Sequence, residues 1–181
     1  NATVVMCLVE EDLTYVTPHL GVFDHTVLAK NLGFPNFYRH MFKHTEYEGP
    51  GSCKGRLLQY VFNMYPHENK FIYIDSDIKV YGLFQEVDQL LDQYPIILSP
   101  HLLKPVNQDI QPNIEFVQNK NGIYNSGFLA LSRSEESVRF INWWSSKLDQ
   151  WCFVDYKNGT FGDQKWLDQV PVLFNAYILK H

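Results

Sequence analysis

Phe71-Ile72-Tyr73-Ile74 runs directly into Asp75-Ser76-Asp77, and this junction constrains the fold more than any other stretch of the chain. An apolar run of this length between polar flanks reads as a buried strand. In extended chain, residues i and i+2 share a face. Both carboxylates are therefore expected to face one spot at the strand's carboxyl end, where open α/β sheets bind ligands. Two hard anionic oxygens so spaced can share one Mg²⁺ or Mn²⁺ and leave coordination positions for diphosphate oxygens. An Asp-x-Asp also serves as an ordinary polar strand end or turn.

The rest of the chain alternates between the two periodicities. Strands are predicted over Thr3–Val9, Thr26–Ala29, Phe71–Ile74, Ile78–Tyr81, Ile96–Leu98, Ile123–Leu131 (kinked at its polar Asn-Ser-Gly centre) and Ala176–Leu179. Helices are predicted over Phe37–Lys43 and from Ser52, an N-cap after the breaker Gly49-Pro50-Gly51, to Pro66. Leu57, Leu58, Val61, Phe62 and Tyr65 make the apolar face of the second of these. Phe84, Val87, Leu90 and Leu91 mark another helix. A further one, opened by a Ser132/Glu135 capping box, carries Val138, Ile141, Trp144, Leu148 and Trp151. A short helix follows over Asp163–Val170, and Lys104–Asn121 reads as a long loop. Alternating strands and helices imply an α/β fold, a mostly parallel central sheet flanked by helices. With 181 residues and no repeat or linker, one domain over residues 1–181 is expected.

Net charge is −5 and no basic face is interleaved with aromatics, so nucleic acid is excluded as a partner. No apolar stretch approaches the ~20 residues needed to span a bilayer. Cys7, Cys53 and Cys152 form no disulfide framework and fit a reducing compartment, against the two sequons at Asn1 and Asn158. A cytoplasmic location is expected, with a peripheral place at the inner face of the membrane as its variant. The chain turns apolar almost at once after Asn1 and stops at Lys180-His181. Both ends are expected to be cuts inside a fold.

Three further segments carry candidate chemistry. Gly127 within a strand suggests close approach of a ligand or another backbone, and Asn125 beside it offers donors and acceptors suited to hydroxyl groups. A bulge with a satisfied Asn is the plainer alternative. Asp163 and Gln164 open a helix, either to complement its dipole or to face a polar substrate. Lys54 and Arg56 fall early in a helix, as an anion site or an ordinary solvated face. His40 and His44 lie at i, i+4 with no third ligand evident, and read as a solvated helix face.

Tyr73–Gly82 (YIDSDIKVYG), Tyr124–Leu131 (YNSGFLAL), Phe161–Trp166 (FGDQKW) and Ile178–His181 (ILKH) stand in the order and rough spacing of GT-A-fold glycosyltransferases. The chain most resembles a bacterial group related to the family 8 sugar transferases, from about Cys53 to its end. The resemblance implies a Rossmann-like GT-A fold whose first strand–helix unit is missing here. It also implies a hexosyltransferase moving a sugar from a nucleotide donor, with uridine diphosphate as carrier, to a glycan or lipid-linked acceptor in polysaccharide biosynthesis. Asp75 and Asp77 match the motif that holds Mn²⁺ or Mg²⁺ on the donor diphosphate, and His181 a late His that completes that metal site. Asn125 matches the Asn lining the donor-sugar pocket. Asp163 and Gln164 match the helix start at the reacting face, and Lys54 or Arg56 a basic residue near the donor. Family 8 relatives retain configuration at the transferred carbon.

Two other readings compete. Haloacid-dehalogenase-like phosphatases also carry an Asp-x-Asp after an apolar strand, and Ser99 with Gly162-Asp163 and Asp168 mimics their later motifs. That reading expects phosphate release and a phosphorylated Asp75. A catalytically inactive domain that only binds a sugar or a protein is the third.

Overall fold

A computed structural model describes residues 2–14, 21–107, 109 and 113–180. Its strands are β1 (Val5–Leu8), β2 (His25–Leu28), β3 (Lys70–Ile74), β4 (Ile96–Pro100), β5 (Tyr124–Ser132), β6 (Val154–Asp155), β7 (Thr160–Phe161) and β8 (Ala176–Ile178). Its α-helices are α1 (Phe37–Phe42), α2 (Glu48–Met64), α3 (Gln85–Leu91), α4 (Ile114–Asn121), α5 (Glu135–Trp151) and α6 (Val170–Leu173).

The central sheet has the order β3-β5-β4-β8 and is mixed. The expected mostly parallel sheet is corrected here: β5 runs antiparallel to both β3 and β4, and only β4 pairs β8 in parallel. The pairings still leave β3, β4 and β8 pointing the same way. The alternation of strand and helix was thus a correct sign of crossover connections. Apolar periodicity carries no information about strand direction, so the reversed β5 between β3 and β4 was invisible to it. A second, two-stranded parallel sheet joins β1 and β2.

Both faces of the central strands are covered. Ile96, Leu98, Leu129 and Leu131 face α2 and α5, where Phe140, Trp144 and Leu148 are fully buried. Ile97 and Ala130 face α3 through Val87 and Leu91, the alternation a pleated strand requires. Val27, Ala29 and Leu32 pack with Cys53 of α2.

Several local expectations are corrected. The Gly49-Pro50-Gly51-Ser52 stretch is helical. Pro50 sits in the first turn of α2, where its missing N–H is no loss, and Thr45 and Glu48 bond each other's backbone N–H groups. Ser52 is therefore an interior residue, not a cap. The cap of α5 is Ser134 with Ser137, two residues past the expected box. Ile78–Tyr81 is exposed irregular chain after a turn at Ser76-Asp77, which the Ile78 N–H closes onto the Asp75 carbonyl at 3.1 Å. Part of the expected long loop forms α4. Lys165–Gln169 is a 3₁₀ turn that leads into α6.

His40 is buried, not solvated, with Nε2 2.8 Å from the Ser52 hydroxyl. Burial, then the neighbouring His44 and Lys43, pulls its pKa down to about 4. The unfolded chain takes up this proton near the ordinary histidine value, about 6.5. The contribution to stability is complete above that pH and is lost as pH falls from there to about 4. We expect acid denaturation profiles to show a loss of about 2 kcal/mol across this window that is removed in His40→Gln.

Candidate active site

The β3–β5 ladder continues one step past Ile74, where the Asp75 N–H donates to the Gly127 carbonyl at 2.9 Å. This register sets the Asn125-Ser126-Gly127 segment against the carboxylate of Asp75. The Gly127 N–H bonds the Asn125 Oδ1 at 2.7 Å, so the Asn amide is folded back over its own strand. A Cβ on Gly127 would lie 2.9 Å from that oxygen and 3.0 Å from Asp75 Oδ2. A larger residue here would displace the ends of the Asn125 and Asp75 side chains.

Lys54 reaches this spot from the second turn of α2. Its ammonium lies 3.0 Å from Asp75 Oδ1, 2.8 Å from Asp163 Oδ2 and 3.2 Å from the Ser126 carbonyl. Its side chain is 9% exposed, Asp163's 15% and Asp75's 34%. Burial alone pulls the Lys54 pKa down, but Asp163 and then Asp75 more than reverse this, and the ammonium is held above its ordinary value. Lys54 is thus a fixed cation bridging two carboxylates that the sequence places far apart.

Asp163 is positioned by two contacts. Its carbonyl accepts from the Trp144 indole N–H at 3.2 Å. Its carboxylate lies so close to α2 that a Cβ on Gly51 would stand 2.8 Å from Oδ1. Gln164 donates through Nε2 to the Asn121 carbonyl at 3.1 Å and packs on Gly122, whose φ is +120°. Asp77 is exposed on the turn after β3. Because the strand ends at Ile74, the shared-face argument does not apply, and only Asp75 of the pair meets Lys54.

Arg56 is not brought to this cluster. It pairs with Asp149 at 2.9 and 2.7 Å, donates to the Gly33 carbonyl and covers the Phe34 ring. Two residues along a helix from Lys54, it faces another way. Asp168 is likewise elsewhere, paired with Lys165 at 2.8 Å and accepting from the Ile123 N–H. His181 lies outside the described residues.

Tyr73 was missed. Its hydroxyl donates to Asp75 Oδ1 at 2.5 Å, and burial followed by that bond raises its pKa. The same i, i+2 rule that was applied forward from Asp75 would have found it backward. The cysteines are all unpaired, and burial pushes Cys7 up to about 12 and Cys53 to about 11, so neither is a nucleophile near neutrality.

The described residues contain no group of three or more His, Cys, Asp and Glu able to hold a metal. Asp75 and Asp77 are oxygen donors of the type that a magnesium-like ion takes together with phosphate oxygens and water; here Asp75 is held by Lys54 and Tyr73, and Asp77 is exposed. The cluster of Lys54, Asp75 and Asp163 is net anionic, and Asp77 adds to it. A bare diphosphate would be repelled.

No protein family model matches this chain. Over 124 residues it is 29% identical to an uncharacterized protein, YfnF, of Bacillus subtilis (strain 168), a match that covers 68% of this chain and 40% of that protein. The chain thus spans well under half the length of this relative. Among solved structures it is similar to a glycosyltransferase involved in glycosylation of the major capsid of PBCV-1, with a TM-score of 0.55 and 10% identity. That match covers 98% of this chain and 80% of the other. The likeness is one of fold: this chain has the mixed α/β fold of a glycosyltransferase. No described helix is long and apolar enough to cross a membrane.

Proposed function

We propose that this chain is the catalytic domain of a metal-dependent hexosyltransferase of GT-A type, using a nucleotide-sugar donor, with uridine diphosphate as the carrier. One observation carries the reading. Lys54 locks Asp75 and Asp163 into one anionic cluster beside Asp77 and the Asn125–Gly127 strand, in a fold shared with a glycosyltransferase. The resemblance supplies a bacterial glycan or lipid-linked acceptor and a cytoplasmic setting.

In the reaction proposed, the bond between the sugar's anomeric carbon and the diphosphate oxygen breaks, and its electron pair leaves with the nucleoside diphosphate. The acceptor hydroxyl oxygen forms the new bond to that carbon, and its proton passes to the departing diphosphate. The carbon passes through an oxocarbenium-like state. Asp75 and Asp77 would hold a Mn²⁺ or Mg²⁺ ion, with His181 as a further ligand, and the ion would supply positive charge against that developing on the leaving diphosphate. Asp163 and Gln164 place a carboxylate and an amide against the sugar hydroxyls. Lys54 fixes the direction of the Asp163 carboxylate, so no reorganisation is needed as charge develops.

The test is UDP release from a panel of UDP-hexoses, with Mn²⁺ and with chelator. We expect slow, metal-dependent release to water in the absence of acceptor, reduced about a hundredfold or more in Asp163→Asn. Release of inorganic phosphate from small phosphomonoesters, with phosphate trapped on Asp75, would select the phosphatase reading instead.

A further inference from the structure

Close to Asp163, the chain exposes a run of aromatic rings that the proposed donor chemistry does not use. Tyr47, Tyr156 and Phe116 are 68%, 55% and 60% exposed. Scattered exposed apolar residues are ordinary, but these are joined into one surface. Phe161, two residues before Asp163, has its centroid 6.2 Å from the Tyr47 ring and 5.8 Å from the Tyr156 ring, the latter nearly parallel. Lys120 lies 4.6 Å over the Phe116 ring and 5.9 Å from that of Tyr156, extending the surface onto α4.

The platform is tied to the candidate active site by three links. Tyr47 and Gly51 stand four residues apart at the start of α2 and so share a face, and Gly51 is the residue pressed against the Asp163 carboxylate. The Tyr156 hydroxyl donates to the Asn121 side chain at 3.1 Å, while Gln164 donates to the carbonyl of the same Asn121 at 3.1 Å. Phe161, in contact with both tyrosine rings, is the third link, two residues before Asp163 in the chain.

Flat rings, that of Tyr156 held by a hydrogen bond, with the Asn121 amide and the Lys120 ammonium close by, match the two-sided chemistry of a pyranose. Its C–H face lies on the rings and its hydroxyls reach Asn121 and Lys120. We propose that Tyr47, Phe161 and Tyr156 form the seat for a hexopyranosyl unit of the acceptor glycan. The inference rests on the transferase reading above: sugar transfer at Asp163 and Gln164 needs an acceptor beside them.

The experiment is saturation-transfer NMR and chemical-shift titration of this chain with methyl β-glucoside, methyl β-galactoside, maltose, lactose and cellobiose. Tyr47→Ala, Tyr156→Ala and Tyr156→Phe are titrated alongside. Expected is weak saturable binding of at least one sugar through its ring protons. Affinity should fall about fivefold or more in each alanine variant and be largely kept in Tyr156→Phe, which retains the ring. The rings are exposed, so thermal melts of the variants should match the parent. Failure of every sugar to bind, or binding equal in parent and alanine variants, overturns the proposal. UDP titration with Mn²⁺ on the same samples separates the two ideas. Platform-dependent sugar binding without UDP binding would leave a sugar-binding domain and remove the transferase. UDP binding with platform-independent sugar binding would leave the transferase and remove the platform.

Discussion

Lys54→Met is expected to lower the unfolding free energy by about 3 kcal/mol, because it strands two carboxylates that the fold holds against each other. The ammonium is buried and within 3.0 Å of Asp75 and 2.8 Å of Asp163. It also accounts for the Ser126 carbonyl and lies over the Tyr73 ring. Methionine keeps most of the volume, so the loss reports charge rather than a cavity. Adding Asp163→Asn to Lys54→Met should restore part of the stability, since one stranded charge is removed. Urea unfolding of the parent, both single variants and the pair gives the coupling directly. A Lys54→Met variant as stable as the parent would mean that these carboxylates are solvated and that the cluster is not a fixed unit.

Gly55→Val should be nearly as damaging, at about 3 kcal/mol, and Gly55→Ala should cost about 2 kcal/mol. Helix propensity alone says the reverse, because alanine in a helix interior is favoured over glycine by about 1 kcal/mol. A Cβ at this position would meet the Ser145 Cα at 2.5 Å and the Ser145 backbone N at 2.9 Å, both on α5 and neither able to yield without moving the helix. Gly49→Ala is the control. There the Cβ would meet only the flexible tip of Met41, and a change within about 0.5 kcal/mol is expected. Stabilisation by Gly55→Ala would show that α2 and α5 are not in this close crossing. Lys54, one residue before Gly55, would then be displaced from the site as well.

What the sequence made legible depended on whether the deciding interaction was local. The centre of the α5 stripe, Ile141, Trp144 and Leu148, and the burial of β4 were readable because periodicity records which face is covered, whereas Val138 and Trp151 at the ends of that stripe are exposed. The strand before Asp75 was readable, but not its place: β3 is an edge strand, and Ile72 and Ile74 are exposed rather than buried. The direction of β5 was not readable, because an antiparallel and a parallel partner demand the same alternation. The helical start of α2 was hidden by Gly49, Pro50 and Gly51, whose breaker character is overridden by the first-turn tolerance of proline and by the reciprocal Thr45–Glu48 cap. Lys54 and Arg56 looked equivalent along the chain. Helical geometry separates them, sending Lys54 to Asp75 and Asp163 and Arg56 to Asp149. The aromatic surface of Tyr47, Phe161 and Tyr156 is assembled from three segments and left no local pattern to read.

The most direct test of the transferase account is calorimetric titration of this chain with uridine diphosphate, with and without Mn²⁺, beside Asp75→Asn and Asp77→Asn. Saturable binding that requires the metal and is lost in both variants is the expected result. Binding indifferent to metal and to the two carboxylates, or no binding by folded protein with Mn²⁺ present, would contradict it.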